Sequence, residues 1–304
     1  GWDDWHAIKG TALYYNYYLN DNGTINYYGN TEQDYLTDVI NRKALAFIDT
    51  PALEPFLMVV GYVAPHGPIT PAKRHLNTAV TSAPLPPNFD EADVSDKPAW
   101  VQALPFVGQS RATTTQIKEN RTMLAVDESI RDITEDLAAR GKLDNTVIIF
   151  MTDNGFAHGS HRWWGKIAVY EESIRTPLLI RYPGAGQRSE TRLVSNIDIA
   201  PTITEIAGAS PTLAPVGLSL VPLLTNVDTV WRDDLLLAYR GPGKPVPNYW
   251  AVRTQRWKYS ELATAEKELY DLDSDPYELE NLANRLEYSE IQSQLAIRLQ
   301  ELKR

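Results

Sequence analysis

The spacing of apolar side chains changes period along the chain, and each change marks an element. In TEQDYLTDVINRKALAFID, residues 31 to 49, Leu36, Val39, Ile40 and Phe47 recur at helical spacing, and Thr31 with Asp34 gives a capping signature at the start. FLMVVGYV, 56 to 63, is a continuous apolar run of strand length, expected to be a buried parallel strand. It runs into the proline-rich APHGPITP, and residues 72 to 109 are rich in Pro, Asn and Asp with weak periodicity, the mark of a long surface excursion. Val126, Ile130, Ile133 and Leu137 line a second helix, with Gly141 just past its end. NTVIIFM and TPLLIRYP are two further buried strands, and NIDIAPTITEIAG starts a helix near Pro201 that stops at Gly208. Alternating helix and strand predicts an α/β fold with a mostly parallel sheet flanked by helices. From about residue 230, DLLLAYR, YWAVRTQ, RWKYSEL and KELYDLD are short, closely spaced strands of an antiparallel sheet, closed by a helix carrying Ile291, Leu295, Leu299 and Leu302 on one face. The expected division is an α/β domain over 1–229 and a small antiparallel α+β subdomain over 230–304.

Composition narrows the chemistry. The 304 residues are 43% hydrophobic and 22% charged, ordinary for a globular protein with a sizeable core. No apolar run approaches the roughly 20 residues of a membrane span. A net charge of −10, from 39 acidic and 29 basic residues, argues against nucleic-acid binding through a basic surface. An anionic substrate would need positive charge concentrated locally. Cysteine is absent, which excludes disulfides, thiolate chemistry and cysteine-based zinc sites. The sequons at Asn22 and Asn120 read as chance occurrences.

In a parallel α/β sheet, ligands bind beyond the carboxyl ends of the strands. His66 follows one predicted strand there, and Asp153 with Asn154 follows another, in FMTDNGFAHGSHRWWGKIAVYEESIRTPLLIRYPG. Asp and Asn oxygens are hard ligands suited to Ca²⁺ or Mg²⁺. D-N-G is equally a strong turn sequence, so an Asx turn ending the strand accounts for the same residues.

APHGP, DNGFAHGSHRWWGK, YEESIRTPLLIRYPG, NIDIAPT and ELYDLDSDPYELENLA resemble, in order and approximate spacing, the motifs of the type I sulfatases, members of the alkaline-phosphatase-like superfamily. The opening, GWDDWHAIKG with YYNYYLNDNG and YLTDVI, is most similar to the glucosamine-6-sulfatase and heparan 6-O-endosulfatase branch. The resemblance runs from residue 1 to about 285. It implies that Asp153 and Asn154 are ligands of a Ca²⁺ ion that holds the sulfate, with Asp153 also beside the nucleophile. Lys166, thirteen residues after Asp153, would place its ammonium on a sulfate oxygen, and His66 would contact the sulfate or the leaving oxygen. His161, Arg162 and Trp163 become candidates for the wall of the substrate pocket; the tryptophans could stack on a sugar ring or pack beneath the loop. Glu171, Glu172 and Arg175 read as structural ion pairs, and Asp198 as a helix cap.

The family's nucleophile is a formylglycine made within C/S-x-P-x-R, and no such motif occurs; SAPLPP at 82 to 87 lacks the arginine. The family's paired metal aspartates and G-K-x-H segment are absent as well. Asp3 and Asp4 follow no strand and do not fill that role. The expectation is therefore the C-terminal portion of a longer sulfatase whose N-terminal strands and nucleophile lie elsewhere, inactive alone. Its implied substrates are sulfated sugars, including glycosaminoglycans, or aryl sulfates, and its implied location is secreted, periplasmic or lysosomal. A noncatalytic anion- or glycan-binding remnant, and a phosphoester or phosphonate hydrolase of the same superfamily, stand as alternatives.

Overall fold

The computed structural model describes residues 1–50, 55–226, 228–242 and 245–304. Contacts divide the chain into two compact units: residues 1–84 with 109–146, and residues 85–108 with 147–304. The expected boundary near 230 is not where this division falls.

In the first unit, β1 (His6–Lys9), β2 (Tyr17–Asp21) and β3 (Thr24–Tyr28) form an antiparallel meander in the order β1-β2-β3. Strand alternation turns Tyr17 and Leu19 inward, where they join Leu36 and Val39 of α1 (Leu36–Ile48) in one buried cluster. Tyr17 also stacks on Tyr28 across the ladder, centroids 5.2 Å apart. The predicted capping box forms one turn ahead of the helix: Thr31 and Asp34 bond reciprocally around the single turn Glu32–Asp34. After a four-residue helix in the other unit, α2 (Ala99–Gln102), comes α3 (Gln109–Ala139), which packs on α1. Their contact carries an amide–carboxylate bond, Asn41 to Asp132 at 2.9 Å, and an ion pair between Arg140 and Asp49 at 2.7 Å. Residues 56–63, expected as a strand, form none. An extended run becomes a strand only when a neighbour takes up its N–H and C=O groups, and no described strand does so. Leu57 and Val59 stand more than half exposed there.

In the second unit, β4 (Ile148–Met151) pairs antiparallel with β7 (Leu178–Arg181), and β5 (Ala157–His158) with β6 (Trp164–Gly165) in a small hairpin between them. Every ladder among the described residues is antiparallel, so the helices and sheets of the α/β class are present but the expected parallel pairing is not. Then come the four-residue helix α4 (Glu171–Ile174), α5 (Ile199–Ile206), and α6 (Val221–Thr225). The predicted antiparallel sheet is a plain meander of β8 (Asp234–Tyr239), β9 (Tyr249–Thr254), β10 (Trp257–Leu262) and β11 (Lys267–Asp271). Val252, Tyr259 and Leu269 on its inner face meet Leu295 and Leu299 of α7 (Ser289–Leu302), as the face of that helix predicts. Residues 85–108 are not a surface excursion: Asn88, Glu91, Val94, Lys97 and Val101 are all buried in this unit. No helix among the described residues is long and apolar enough to cross a membrane.

Candidate active site

β4 ends at Met151, and the chain bends at once through Asp153, which is exposed, and Asn154, which is half-buried. The bend is pinned from behind. The Gly155 N–H donates to the Ser173 carbonyl at 3.0 Å, and a Cβ on Gly155 would lie 2.1 Å from the Glu172 carbonyl oxygen. Only glycine allows so close an approach, so the loop is seated on the backbone of α4. The Asn154 amide NH₂ donates to the Gly155 carbonyl at 2.9 Å, which fixes which way Oδ1 points.

The β5–β6 hairpin then returns the chain to the same place. Its turn contains two consecutive left-handed residues, His161 (φ 51°) and Arg162 (φ 58°), and leads to Lys166. The Lys166 ammonium lies 3.3 Å from Asn154 Oδ1. The structure thus brings together Asn154 and Lys166, with Asp153 adjoining. His66 belongs to the first unit. There its backbone is tied by its own N–H to Val63 and by the Tyr14 hydroxyl to its carbonyl, both at 2.8 Å. Its Nδ1 lies 2.7 Å from the Gly67 carbonyl, an acceptor only, so Nδ1 is the nitrogen that donates there.

Three residues expected to line the pocket are placed otherwise. His161 is fully buried. Its Nδ1–H donates to Glu91 at 2.6 Å, its Nε2 accepts from the Asn88 amide at 3.1 Å, and its ring stacks on Tyr170 at 4.0 Å, so neither nitrogen is left for a ligand. Arg162 donates to the carbonyls of Glu91 and Ala92 and lies over Phe106. Trp163 packs beneath the loop, edge-on to Trp100 with centroids 5.6 Å apart. Loop composition held no signal for this, because the partners, Asn88 and Glu91, are polar residues of a segment without periodicity.

Below the hairpin lies a buried polar network. Lys258, 1% exposed, donates to the Val169 carbonyl at 2.8 Å and reaches Glu278 at 2.5 Å and Glu171 at 3.3 Å, while Arg253 also meets Glu171. Glu171 is thus held in ion pairs, as expected, whereas the contact of Glu172 is a hydrogen bond from the Asn88 amide at 2.6 Å. Burial pushes the Glu278 carboxyl up to about 7 against the pull of Lys258, with Glu171 adding repulsion. The Glu268 carboxyl is raised too, by burial, despite accepting from the hydroxyls of Tyr170 and Tyr270 at 2.7 Å each. Carboxylate and ring atoms of His161, Glu172 and Glu278 lie within 4.8 Å of one another. Lys258 already supplies the positive charge there, so the group is an ion network rather than a cation site. Asp198 closes a capping box with Ser195 and, fully buried, takes both arms of Arg232 at 2.8 and 2.6 Å.

The hard oxygens of Asp153 and Asn154 suit calcium, and they can fill only part of its shell of six to eight donors.

A loop closing one strand end thus carries an adjoining acid–amide pair, with an ammonium converging on the amide oxygen, on an α/β fold. Residues 2–209 match the family model described as Sulfatase, and residues 159–304 match that described as N-sulphoglucosamine sulphohydrolase, C-terminal. The N-acetylglucosamine-6-sulfatase of Bos taurus is 32% identical, the match covering 94% of this chain and 59% of that protein. The arylsulfatase of Chlamydomonas reinhardtii is 34% identical over 89% of this chain and 51% of its own length. A solved structure of a protein in complex with its substrate D-glucosamine-2-N,6-O-disulfate is 28% identical with a TM-score of 0.83, covering 98% of this chain and 75% of that one. The chain belongs to the sulfatase family, near its glucosamine-6-sulfatase branch. It spans about three-fifths or less of the length of these two named relatives.

Proposed function

We propose that residues 1–304 carry the sulfate-gripping portion of a sulfuric ester hydrolase whose substrate class is 6-O-sulfated glucosamine within sulfated carbohydrate. One observation carries this reading: the Lys166 ammonium and the Asn154 side-chain oxygen meet at 3.3 Å from two different loops. A lysine with no anion to hold gains little from being directed at an amide. Support comes from the N-acetylglucosamine-6-sulfatase among the relatives and from the sulfated glucosamine bound by the similar solved structure.

In this reading Asp153 and Asn154 are two of the oxygen donors of a Ca²⁺ ion (Mg²⁺ is the alternative), which when bound offsets the charge of the sulfate. Lys166 would donate to a sulfate oxygen, so negative charge developing on that oxygen would be met by a fixed cation. For His66, in the first unit, we propose the role that the family resemblance implies, proton exchange with the leaving oxygen. The chain contains no cysteine and no C/S-x-P-x-R, so we place the formylglycine nucleophile in the part of the relatives' length that it does not span.

The test is sulfate release from glucosamine 6-sulfate by the natural gene product that carries these residues, before and after treatment with a calcium chelator. Release that stops on chelation and returns with Ca²⁺ supports the proposal. Binding of the sulfated sugar without release would make the protein a noncatalytic glycan binder instead.

A further inference from the structure

Trp163 lies three residues before Lys166, and its indole is held firmly. Besides its edge contact with Trp100, it packs against two buried clusters that include Ala168, Val169 and Tyr170. Its Nε1–H donates to the Lys166 carbonyl at 3.1 Å. The loop folds over the ring so closely that a Cβ on Gly165 would come within 2.7 Å of it. Ile167, the residue after Lys166, has φ +72°. A β-branched side chain strongly disfavours the left-handed region, so that conformation persists only where surrounding structure imposes it. The indole bond falls on the peptide that joins Lys166 to Ile167.

We propose that Trp163 is a positioning residue: its indole N–H holds the 166–167 peptide in the left-handed turn that directs the Lys166 ammonium at Asn154. The consequence for turnover rests on the function proposed above; the position of the lysine does not. Trp163 therefore serves the substrate from beneath the loop and makes no contact with it.

Two arms test this in the natural gene product. In the first, surface lysines are acetylated with a water-soluble acyl ester and followed peptide by peptide by mass spectrometry. Trp163→Phe keeps the packed ring and removes the N–H, and the loss of one hydrogen bond should speed acetylation of Lys166 roughly fivefold, other lysines staying constant. Adding Ile167→Gly, which accepts positive φ at no steric cost, should restore much of the slow reaction. An unchanged Lys166 rate, or an equal rise at every lysine, overturns the proposal. In the second arm, Trp163→Phe should lower kcat for glucosamine 6-sulfate roughly fivefold with KM within about twofold, because a fixed cation acts chiefly on charge that develops in the transition state. An unchanged kcat overturns it as well. If the unsubstituted protein releases no sulfate, the proposed function fails and the acetylation arm still decides the role of Trp163.

Discussion

Replacing Lys166 by Met removes one positive charge and little else. Its ammonium is 3.3 Å from Asn154 Oδ1, and in the proposed role it would hold a sulfate charge about 4 Å away. Two unit charges 4 Å apart at an effective dielectric of about 20 interact by about 4 kcal/mol. The lysine is only half-buried, so solvent screening reduces this to roughly 2–3 kcal/mol. That corresponds to a roughly 30- to 150-fold loss in kcat/KM. The fold should be indifferent, because one long contact to an amide contributes little to stability; the melting temperature should move by less than about 2 °C. The assay is kcat/KM of the natural gene product on an aryl sulfate, paired with a melting curve by circular dichroism. A loss below about threefold with the fold intact would refute the electrostatic reasoning. A loss of activity that merely tracks unfolding would refute it equally.

Other perturbations address the frame around the site. Asp198→Ala strips a fully buried carboxylate from Arg232 and from the backbone N–H groups of Ser195 and Leu218, so chemical denaturation should show a loss of about 3–5 kcal/mol. Glu278 predicts a pH effect. Its carboxyl is raised to about 7 in the folded chain, so the fold binds that proton more tightly than the unfolded chain does. Its contribution is whole below the unfolded value and is lost as pH rises through 7, on the order of 3 kcal/mol in all. Urea midpoints between pH 4.5 and 8 should therefore fall less steeply for Glu278→Gln than for the unsubstituted protein; parallel curves would contradict the assignment.

Local signals in the sequence were read with most success where one segment contains its own partners. The Thr31–Asp34 box, the inward residues of α1 and α7, and the four-stranded meander all depend on neighbours a few positions or one hairpin away. The failures share a cause as well. The run at 56–63 is apolar enough for a strand, yet a strand also needs a partner, and spacing says nothing about partners. The polar first half of α3 hid a helix that begins at Gln109 rather than near Val126, because residues facing solvent leave no hydrophobic period. Asn88, Glu91 and Lys97 look like loop surface until His161 and the carbonyls of Tyr277 and Leu279 are seen to meet them. At the site, residue types suggested His66, Asp153 and Asn154, and the resemblance to the family added Lys166 and implied the roles. Which aromatic and basic neighbours face a ligand could not be read, since His161, Arg162 and Trp163 turn inward through a left-handed bend that sequence does not announce.

A crystal structure of the natural gene product with calcium and sulfate would bear most directly on the site. The expected result is calcium about 2.3–2.6 Å from oxygens of both Asp153 and Asn154, with the Lys166 nitrogen about 2.8 Å from an oxygen of a sulfate on that ion. Sulfate bound elsewhere, with Lys166 directed into solvent, would contradict the account.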